Sequence, residues 1–368
     1  MIDPLLIGGM VIAAFAGGVI GAAIGALPAF IFTGFMVVAG EAARIAGIVS
    51  LPEGAGLGTM GITAQIAFGA FFGPHIAFAG GAAASAYAAK QGYMESGFGG
   101  GWGYHDAKNI LIAFGARIDV LLVGGLFGVL GYAVFYLSST VAAPWDPIAM
   151  GVVVSALVHR LALGYDAIGT VRGDGILDLS PFDRDEVYET DGSQGEPAER
   201  LLVEPWLPWF RSWGGVGLVG IAFGILGGFT FWATGSPYLA FGISAASLLF
   251  LNLGIEEDFG AFQLKIPVTH HITLPASTAP MAYIGIGLAK ADPAVVQTEL
   301  LLLEAVVLGA IFGLLGALFG ELAERIFYAH GDTHWDPPAT SIVATTFLIA
   351  LLAIVGMFPT AGWVPVPI

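Results

Sequence analysis

The sequence predicts an all-α, polytopic integral membrane protein made of two five-segment repeats, with a broken or re-entrant helix in each. Apolar residues make up 57% of the chain and charged residues only 11%, less than half of the roughly 25% found in soluble domains. The run PHIAFAGGAAASAY at 74–87 returns, without a gap, as HHITLPASTAPMAY at 270–283. Two copies of one membrane-length unit are typical of secondary transporters.

The repeat extends over most of the chain. GGLFGVLG at 124–131 returns as GAIFGLLG at 309–316, and the triplet Trp-Asp-Pro at 145–147 returns at 335–337. Segments of membrane length occur in the same order in each copy. They cover residues 4–25, 27–43, 58–89, 109–137 and 147–164 in the first copy, and 214–233, 237–253, 266–289, 298–324 and 338–357 in the second.

These segments divide the chain into three parts. Residues 1–164 form the first transmembrane repeat, 165–213 an acidic cytoplasmic linker, and 214–368 the second repeat. The linker is rich in Asp, Glu, Gly and Pro, so we expect it to have little drive to fold. The chain enters an apolar segment at Leu5 without a basic region, which we interpret as a first span and not a cleaved signal peptide.

The placement of Lys and Arg predicts the orientation. If every segment crosses the membrane once, the linker face carries nearly all of these residues, and only Arg44 and Lys290 fall on the other face. The halves are then inverted and both termini lie outside. If segments three and eight are re-entrant hairpins, the halves become parallel and only Arg325 falls outside. We favour the inverted form because opposed broken helices recur at transporter midplanes.

Composition excludes several classes of function. The net charge of −16 argues against nucleic acid and anionic lipid headgroups as partners. The chain has no cysteine, so disulfides and thiol chemistry are excluded. No serine elbow supports acyl transfer and no metal-binding motif is present, so we expect no enzyme activity and no cofactor. The expected partners are the lipid bilayer of the cell membrane, a small solute and a coupling ion. A homo-oligomer is compatible with the sequence.

The third and eighth segments are interrupted by proline. Gly73-Pro74 breaks the first, and Pro267, Pro275 and Pro280 interrupt the second, so we expect neither segment to be one continuous helix. Broken helices expose backbone groups that bind ions and solutes. We therefore predict a substrate site where the two segments meet; kinked helices whose polar groups satisfy one another are the alternative. The candidate residues are Pro74, His75, Thr269, His270, His271, Thr273, Ser277 and Thr278.

Three other features bear on mechanism. His75 and His271 occupy the same repeat position, where a neutral imidazole can hydrogen-bond a solute, carry a proton or simply pair with membrane groups. Asp119 and Glu304 also occupy equivalent positions, which we expect to lie well inside apolar helices, and are candidate ion-coupling residues. An ion pair with Arg117 is the alternative for Asp119, although a spacing of two places them on different helix faces.

The Trp-Asp-Pro triplets have a structural interpretation. Asp is expected to cap a helix, Pro to take its first position and Trp to sit at the membrane interface. Glycine repeats at 17–21–25, 220–224–228 and 309–313 are expected to be close-packing faces.

The leading expectation is a secondary active transporter, or permease, of a small anion or polar organic molecule, coupled to Na⁺ or H⁺ by alternating access. Its alternatives are a passive channel on the same inverted repeat and a membrane-complex subunit without transport. An intramembrane metalloenzyme using His75, His270, His271, Asp119 and Glu304 is less favoured, because adjacent histidines on a helix chelate poorly.

The stretch GPHIAFAGGAAASAYAAK at 73–90 resembles a segment of an uncharacterised family of polytopic membrane proteins, of permease type, in halophilic archaea. The resemblance implies a membrane protein from a high-salt cytoplasm, in keeping with an acidic chain that has only four lysines. It implies no particular activity.

Overall fold

The computed structural model describes residues 4–50, 61–94, 103–256 and 265–367, and these are mainly helical. The first half contains α1 (Pro4–Ile24), α2 (Ala26–Ser50), α3 (Ala79–Lys90), α4 (Ile118–Thr140) and α5 (Pro147–Leu163). The middle contains α6 (Ser180–Asp183) and the antiparallel strands β1 (Val187–Glu189) and β2 (Glu199–Leu201). The second half contains α7 (Trp213–Thr234), α8 (Leu239–Glu256), α9 (His270–Tyr283), α10 (Pro293–Glu299), α11 (Leu302–Ala323) and α12 (Pro337–Ile354).

Six of these helices are long and apolar enough to cross a membrane: α1, α2, α4, α7, α11 with the turn that extends it, and α12. Their outer faces carry large apolar side chains. Leu126 on α4, Leu218 on α7 and Leu303 on α11 are all more than 60% exposed. Water would not tolerate so large an apolar surface, whereas lipid does. The fold is thus compatible with a multi-pass membrane protein.

Glycine seams hold each half together. A β-carbon on Gly18 of α1 would lie 2.1 Å from the carbonyl oxygen of Gly124 on α4, and one on Gly224 of α7 would lie 2.3 Å from the carbonyl oxygen of Gly309 on α11. The two helix pairs therefore touch backbone to backbone, as the glycine spacing predicts.

Two other helix pairs join the halves, and both are antiparallel. On α2 and α8, Gly34 meets Ala246 while Val37 meets Gly242, and Glu41 meets Ser236 at the start of α8. On α5 and α12, the backbone N–H of Asp146 donates to Thr346 Oγ1 at 2.9 Å. In each pair, the chain therefore runs in opposite directions along the two helices.

These directions place the chain ends. We call the end of the molecule that carries residues 165–211 the linker face, and the opposite end the terminal face. α1 runs towards the linker face, because the loop that precedes α4 bonds to the end of α1 through Phe114 N and Ala22 O. α12 runs away from the linker face. Residue 4 and the end of α12 at Ile354 therefore lie near the terminal face, together with Lys290.

The two interrupted segments cross the molecule without doubling back. The first runs from a π-helical turn at Thr63–Ala67, beside Glu41, through a second such turn at Pro74–Phe78 into α3. It is broken before Pro74, as expected, and Thr33 Oγ1 donates to the freed carbonyl oxygen of Phe72 at 2.5 Å.

The second interrupted segment differs from the expectation. Residues 265–269 are not helical, so segment 266–289 is not one continuous helix, as predicted. Pro275 and Pro280 were expected to interrupt it, but both lie inside the single helix α9, so that part of the prediction was wrong. Pro275 leaves the carbonyl of His271 without its helical partner. Gly316 packs against that carbonyl oxygen, and the protein buries α9 from His270 to Ala282. Burial within protein is the condition under which a membrane tolerates such a helix.

The acidic linker is folded, contrary to the expectation. β1 and β2 form a short hairpin, and Val203, Trp206 and Leu207 are buried against the linker face. The composition of the linker suggested disorder because it is rich in acidic residues. The apolar residues that anchor the linker are instead concentrated at 201–210. Its charge is partly neutralised by buried ion pairs to Arg200.

Candidate functional site

A cavity of about 260 Å³ lies between the two halves. Its walls come from α2, α5, α8, α9 and α12, from the linker and from the C-terminal segment. The lining is mainly apolar and includes eight aromatic side chains: Phe30, Phe68, Phe78, Phe135, Trp206, Tyr238, Phe241 and Trp363. A single water needs only about 10–15 Å³, so the space suits a small organic molecule.

Two carboxylates line this cavity, one from each half. Asp146 caps α5 by accepting the N–H of Ile148 at 2.8 Å, and Asp336 caps α12 by accepting the N–H of Ala339 at 2.8 Å. The predicted capping role of both Trp-Asp-Pro triplets is thereby confirmed. The interface position expected for tryptophan is wrong for Trp335, which is buried and stacks on Phe327.

The position of these caps inside the cavity was missed. Sequence reasoning assigned Asp146 and Asp336 to a purely structural role, because Asp-Pro is a common helix start. The sequence did contain one indication that these two aspartates share a position in the fold. The two aspartates belong to the one acidic triplet that recurs unchanged in both copies. In the structure Asp146 is 6% exposed and Asp336 is half-buried.

His270 is the one histidine in the cavity wall among the described residues. Its ring is wedged between Phe30 and Phe241, with centroid distances of 4.7 Å and 5.6 Å. It is 5% exposed, and its Nδ1 has no hydrogen-bond partner among the described residues. Within the described ranges, the Nδ1 atoms of His75 and His271 are buried and unpaired in the same way, so this feature does not single out His270.

Of the eight predicted substrate residues, the structure places Pro74 and His270 in the cavity wall. The hydroxyl groups are used within the protein. Thr269 and Thr273 bond to Ser244, and Ser277 donates to Pro237 O at 2.5 Å. Thr278 Oγ1 donates to Leu274 O and accepts from Trp363.

His75 and His271 lie behind the wall in matching surroundings. The carbonyl oxygen of His75 contacts Gly131, and that of His271 contacts Gly316. The His75 ring packs on Phe135 at 5.0 Å, whereas the His271 ring occupies the space beside Gly320, the residue equivalent to Phe135. In these positions both histidines serve as packing residues between helices.

Asp119 and Glu304 lie at helix starts and not deep in apolar helices, so the depth inferred from the sequence was wrong. Asp119 is the second residue of α4, and its carboxylate forms a 3.3 Å ion pair with Arg117. That pair forms because Arg117 precedes the helix, so the helical spacing argument did not apply. Glu304 Oε2 accepts the N–H of Leu301 at 2.9 Å, capping α11. The two residues lie at opposite ends of the molecule and away from the cavity.

A second cavity, of about 230 Å³, extends from the first towards the terminal face. Phe68, Phe135, Ile148 and Tyr238 line both spaces and separate them. Its polar wall is built around Glu41, which is buried. Glu41 accepts from Thr63 at 2.9 Å, from Ser236 at 2.6 Å and from Arg44 at 2.9 Å.

The linker closes the cavity on the other side. Trp206 and Leu207 form its wall, and behind Trp206 lies Tyr328, with ring centroids 6.5 Å apart. Next comes a buried ion-pair cluster, which we call the linker cluster: Lys108, Glu196, Arg200, Glu204 and Asp332. Burial lowers the pKa of Lys108 to about 8. Burial acts to raise the pKa of Glu204, but Arg200 and Lys108 lower it overall.

No group of three or more potential metal ligands occurs within the described ranges. Comparison with known proteins gives one match. A family model, described as a family of unknown function (DUF7973), matches residues 2–367. No curated protein and no solved structure matches the chain. Since the family model covers nearly the whole sequence, the chain belongs to the DUF7973 family.

Proposed function

We propose that this protein is a multi-pass secondary active transporter of the cell membrane that binds a small organic solute in the central cavity. The observation that carries the proposal is the cavity itself. It lies between two halves and is lined by corresponding elements of each: α2 with α8, α5 with α12, and the caps Asp146 and Asp336. A solute site at the junction of two related halves is the arrangement of alternating-access transporters.

The proposal treats the halves as inverted repeats. Two sets of contacts support this. Gly18, Gly124 and Gly131 make the same contacts in the first half as Gly224, Gly309 and Gly316 make in the second. The pairs α2/α8 and α5/α12 are antiparallel, as elements related by an axis in the membrane plane must be. The positive residues favour a cytoplasmic linker face.

Alternating access requires a barrier on each side of the site. On the terminal side, four side chains separate the cavity from the second cavity: Phe68, Phe135, Ile148 and Tyr238. On the linker side, the barrier is thicker and includes Trp206, Tyr328 and the linker cluster. Opening each barrier in turn would carry the solute across. A channel needs a continuous path, and two packed barriers favour the transporter.

The coupling ion is proposed to be H⁺ or Na⁺. The sequence suggested Asp119 and Glu304 as its sites, but each lies at a helix start away from the cavity and has a local partner. Asp146 and Asp336 are better placed, because an ion bound there would meet the solute. A carboxylate at membrane depth is costly unless it is neutralised, and a proton or cation would neutralise it.

The test uses the absence of cysteine from the chain. A single cysteine at Ala149, in the cavity wall, is labelled with a membrane-impermeant thiol reagent from the outside of cells and from the outside of inverted vesicles. Labelling is repeated with the H⁺ or Na⁺ gradient reversed. Gly192→Cys on the linker and Lys290→Cys on the terminal face report vesicle orientation.

A transporter predicts that labelling rates from the two sides change in opposite directions when the gradient is reversed. Labelling rates that change in the same direction on both sides of the membrane would favour the channel. Labelling that occurs from one side only, under every gradient, would overturn the proposal in favour of a membrane-complex subunit.

A further inference from the structure

The chemistry of the cavity wall goes beyond the function proposed above, because it indicates a class of ligand. Two carboxylates line the cavity, and among the described residues no lysine or arginine does. The helix starts at Asp146 and Asp336 each contribute a partial positive charge of about +0.5. Two full negative charges against two such half charges leave the cavity negative by about one unit.

An anion would find no binding groups at these helix starts. Free N–H groups at a helix N-terminus bind anions, but here Asp146 already accepts the N–H of Ile148 and Asp336 that of Ala339. His334 is the basic side chain nearest to Asp336, at 3.6 Å, and it is charged only when protonated. The anion expected from the sequence is therefore the least suitable solute.

The aromatic lining suits a cation with apolar substituents. Rings from both halves and from the linker surround the space, and a cation over an aromatic face is attracted by about 0.5–2 kcal/mol, more when desolvated. A bare inorganic ion would leave most of the 260 Å³ unfilled. The space is slightly below the roughly 300–1,000 Å³ of drug-sized sites, so the ligand is of about the size of one substituted ring.

His270 adds a further ring to this lining. The ring is only 5% exposed and is flanked by Phe30 and Phe241. Its Nδ1 is shielded from the cavity, so a bound solute would meet the remainder of the imidazole and not that nitrogen.

From the cavity, its charge balance and its aromatic wall, we infer that the solute is a small monovalent organic cation bearing apolar groups, such as a substituted ammonium ion. Asp146 and Asp336 balance its charge from the two halves, and the rings of Phe30, Phe241, Trp206 and Trp363 enclose its apolar part. This inference rests on the proposed function only in taking the cavity as the solute site.

The test is calorimetric titration of the purified full chain with three ligands of similar shape: benzyltrimethylammonium, benzyl alcohol and benzoate. We expect the ammonium ion to bind at least about tenfold more tightly than the alcohol, a difference of about 1.4 kcal/mol, and benzoate not to bind. Asp146→Asn and Asp336→Asn should each weaken ammonium binding by about tenfold or more. Asparagine caps helices as well as aspartate does, so the fold should be kept.

The matched control is Asp292→Asn. Asp292 caps α10 in the same Asp-Pro arrangement, accepting the N–H of Ala294 at 2.7 Å, but it lies at the terminal face and outside the cavity. This variant should bind the ammonium ion as the wild type does. Benzoate binding as tightly as the ammonium ion, no ammonium binding, or unchanged affinity in both cavity variants would overturn the inference.

The two proposals fail separately. Opposed labelling rates at Ala149→Cys without ammonium binding would leave the transporter standing and remove the organic cation. Ammonium binding that depends on Asp146 and Asp336, with labelling from one side only, would leave a cation-binding protein that does not transport.

Discussion

The carboxylate of Glu204 lies 2.6 Å from the ammonium group of Lys108, and the two side chains are only 1% and 0% exposed. Glu204 comes from the linker and Lys108 from the loop that precedes α4. Glu204 also accepts from Arg200 Nε at 2.5 Å, and Arg200 is paired with Asp332 at 2.9 Å. The linker is thus joined to the first half by an ion pair that water does not reach, and to the second half through Asp332, which is 31% exposed.

Glu204→Gln should therefore destabilise the fold. Lys108 would lose its carboxylate partner while remaining buried, and breaking such a pair typically costs about 3–5 kcal/mol. Lys108→Met should cost less, since Arg200 still neutralises Glu204. Thermal unfolding in detergent measures both changes. The double variant should be less destabilised than the sum of the single variants. Additive losses would show that the pair is not coupled.

The pH dependence of stability should report on Lys108. Burial holds the pKa of Lys108 at about 8, below the ordinary lysine value of 10.5. Between these two pH values the unfolded chain binds a proton that the folded chain does not, so the free energy of unfolding should increase as pH rises. The wild type should gain stability relative to Lys108→Met from about pH 8 to pH 10.5. A constant difference in melting temperature between the two proteins over this range would contradict the prediction.

Gly131→Ala should prevent correct packing. A β-carbon at Gly131 would lie 1.5 Å from the carbonyl oxygen of His75, and one at Gly316 would lie 2.5 Å from that of His271. Forced overpacking costs about 1–3 kcal/mol or more, and the closer contact should cost more. The yield of monodisperse protein and its melting temperature should be lower for Gly316→Ala than for the wild type, and lower still for Gly131→Ala.

Gly9→Ala is the control for this pair, because nothing lies within 4 Å of the added β-carbon. It should be neutral or slightly stabilising, since alanine favours helices. A wild-type melting temperature for Gly131→Ala would show that α4 and the His75 segment are not packed this closely.

The positions of the chain ends can be tested with single cysteines in intact cells. Lys290→Cys and Met357→Cys should react with an impermeant reagent from outside, and Gly192→Cys should react only after lysis. This follows from the antiparallel helix pairs and from the concentration of positive residues at the linker face. Protection of Lys290→Cys and Met357→Cys together with labelling of Gly192→Cys would place the terminal face inside. Protection at all three positions, relieved on lysis, would contradict the placement of the linker face and the terminal face on opposite sides of the membrane.

Membrane helices were the most predictable part of the fold. The bounds of α1, α5 and α7 agree with the apolar segments to within about two residues, because lipid imposes the length and composition of a span. The break before Pro74 was predicted for a local reason, the missing N–H of proline. The continuity of α9 was not predictable, because it depends on neighbours such as Gly316 that cover the freed carbonyl.

The candidate site was harder to predict than the fold. Pro74 and His270 were identified from the broken segments, and both line the cavity. Asp146 and Asp336 were assigned to caps alone, since a cap is recognisable locally, whereas the cavity is formed by residues far apart in sequence. Asp119 and Glu304 were placed too deep, because hydropathy does not show where a helix begins within an apolar run.

The glycine seams have a mechanical consequence. Where Gly18 of α1 meets Gly124 of α4, and Gly224 of α7 meets Gly309 of α11, no side chain lies between the backbones. At these points no change of rotamer can let one helix slide past the other. Each of these helix pairs must therefore move as one rigid body. Between the halves, the backbones approach most closely where α2 crosses α8, at Gly34 and Gly242. That crossing is therefore the pivot about which the helix pairs would rock. The displacement would be smallest at these glycines and largest at the two faces of the membrane.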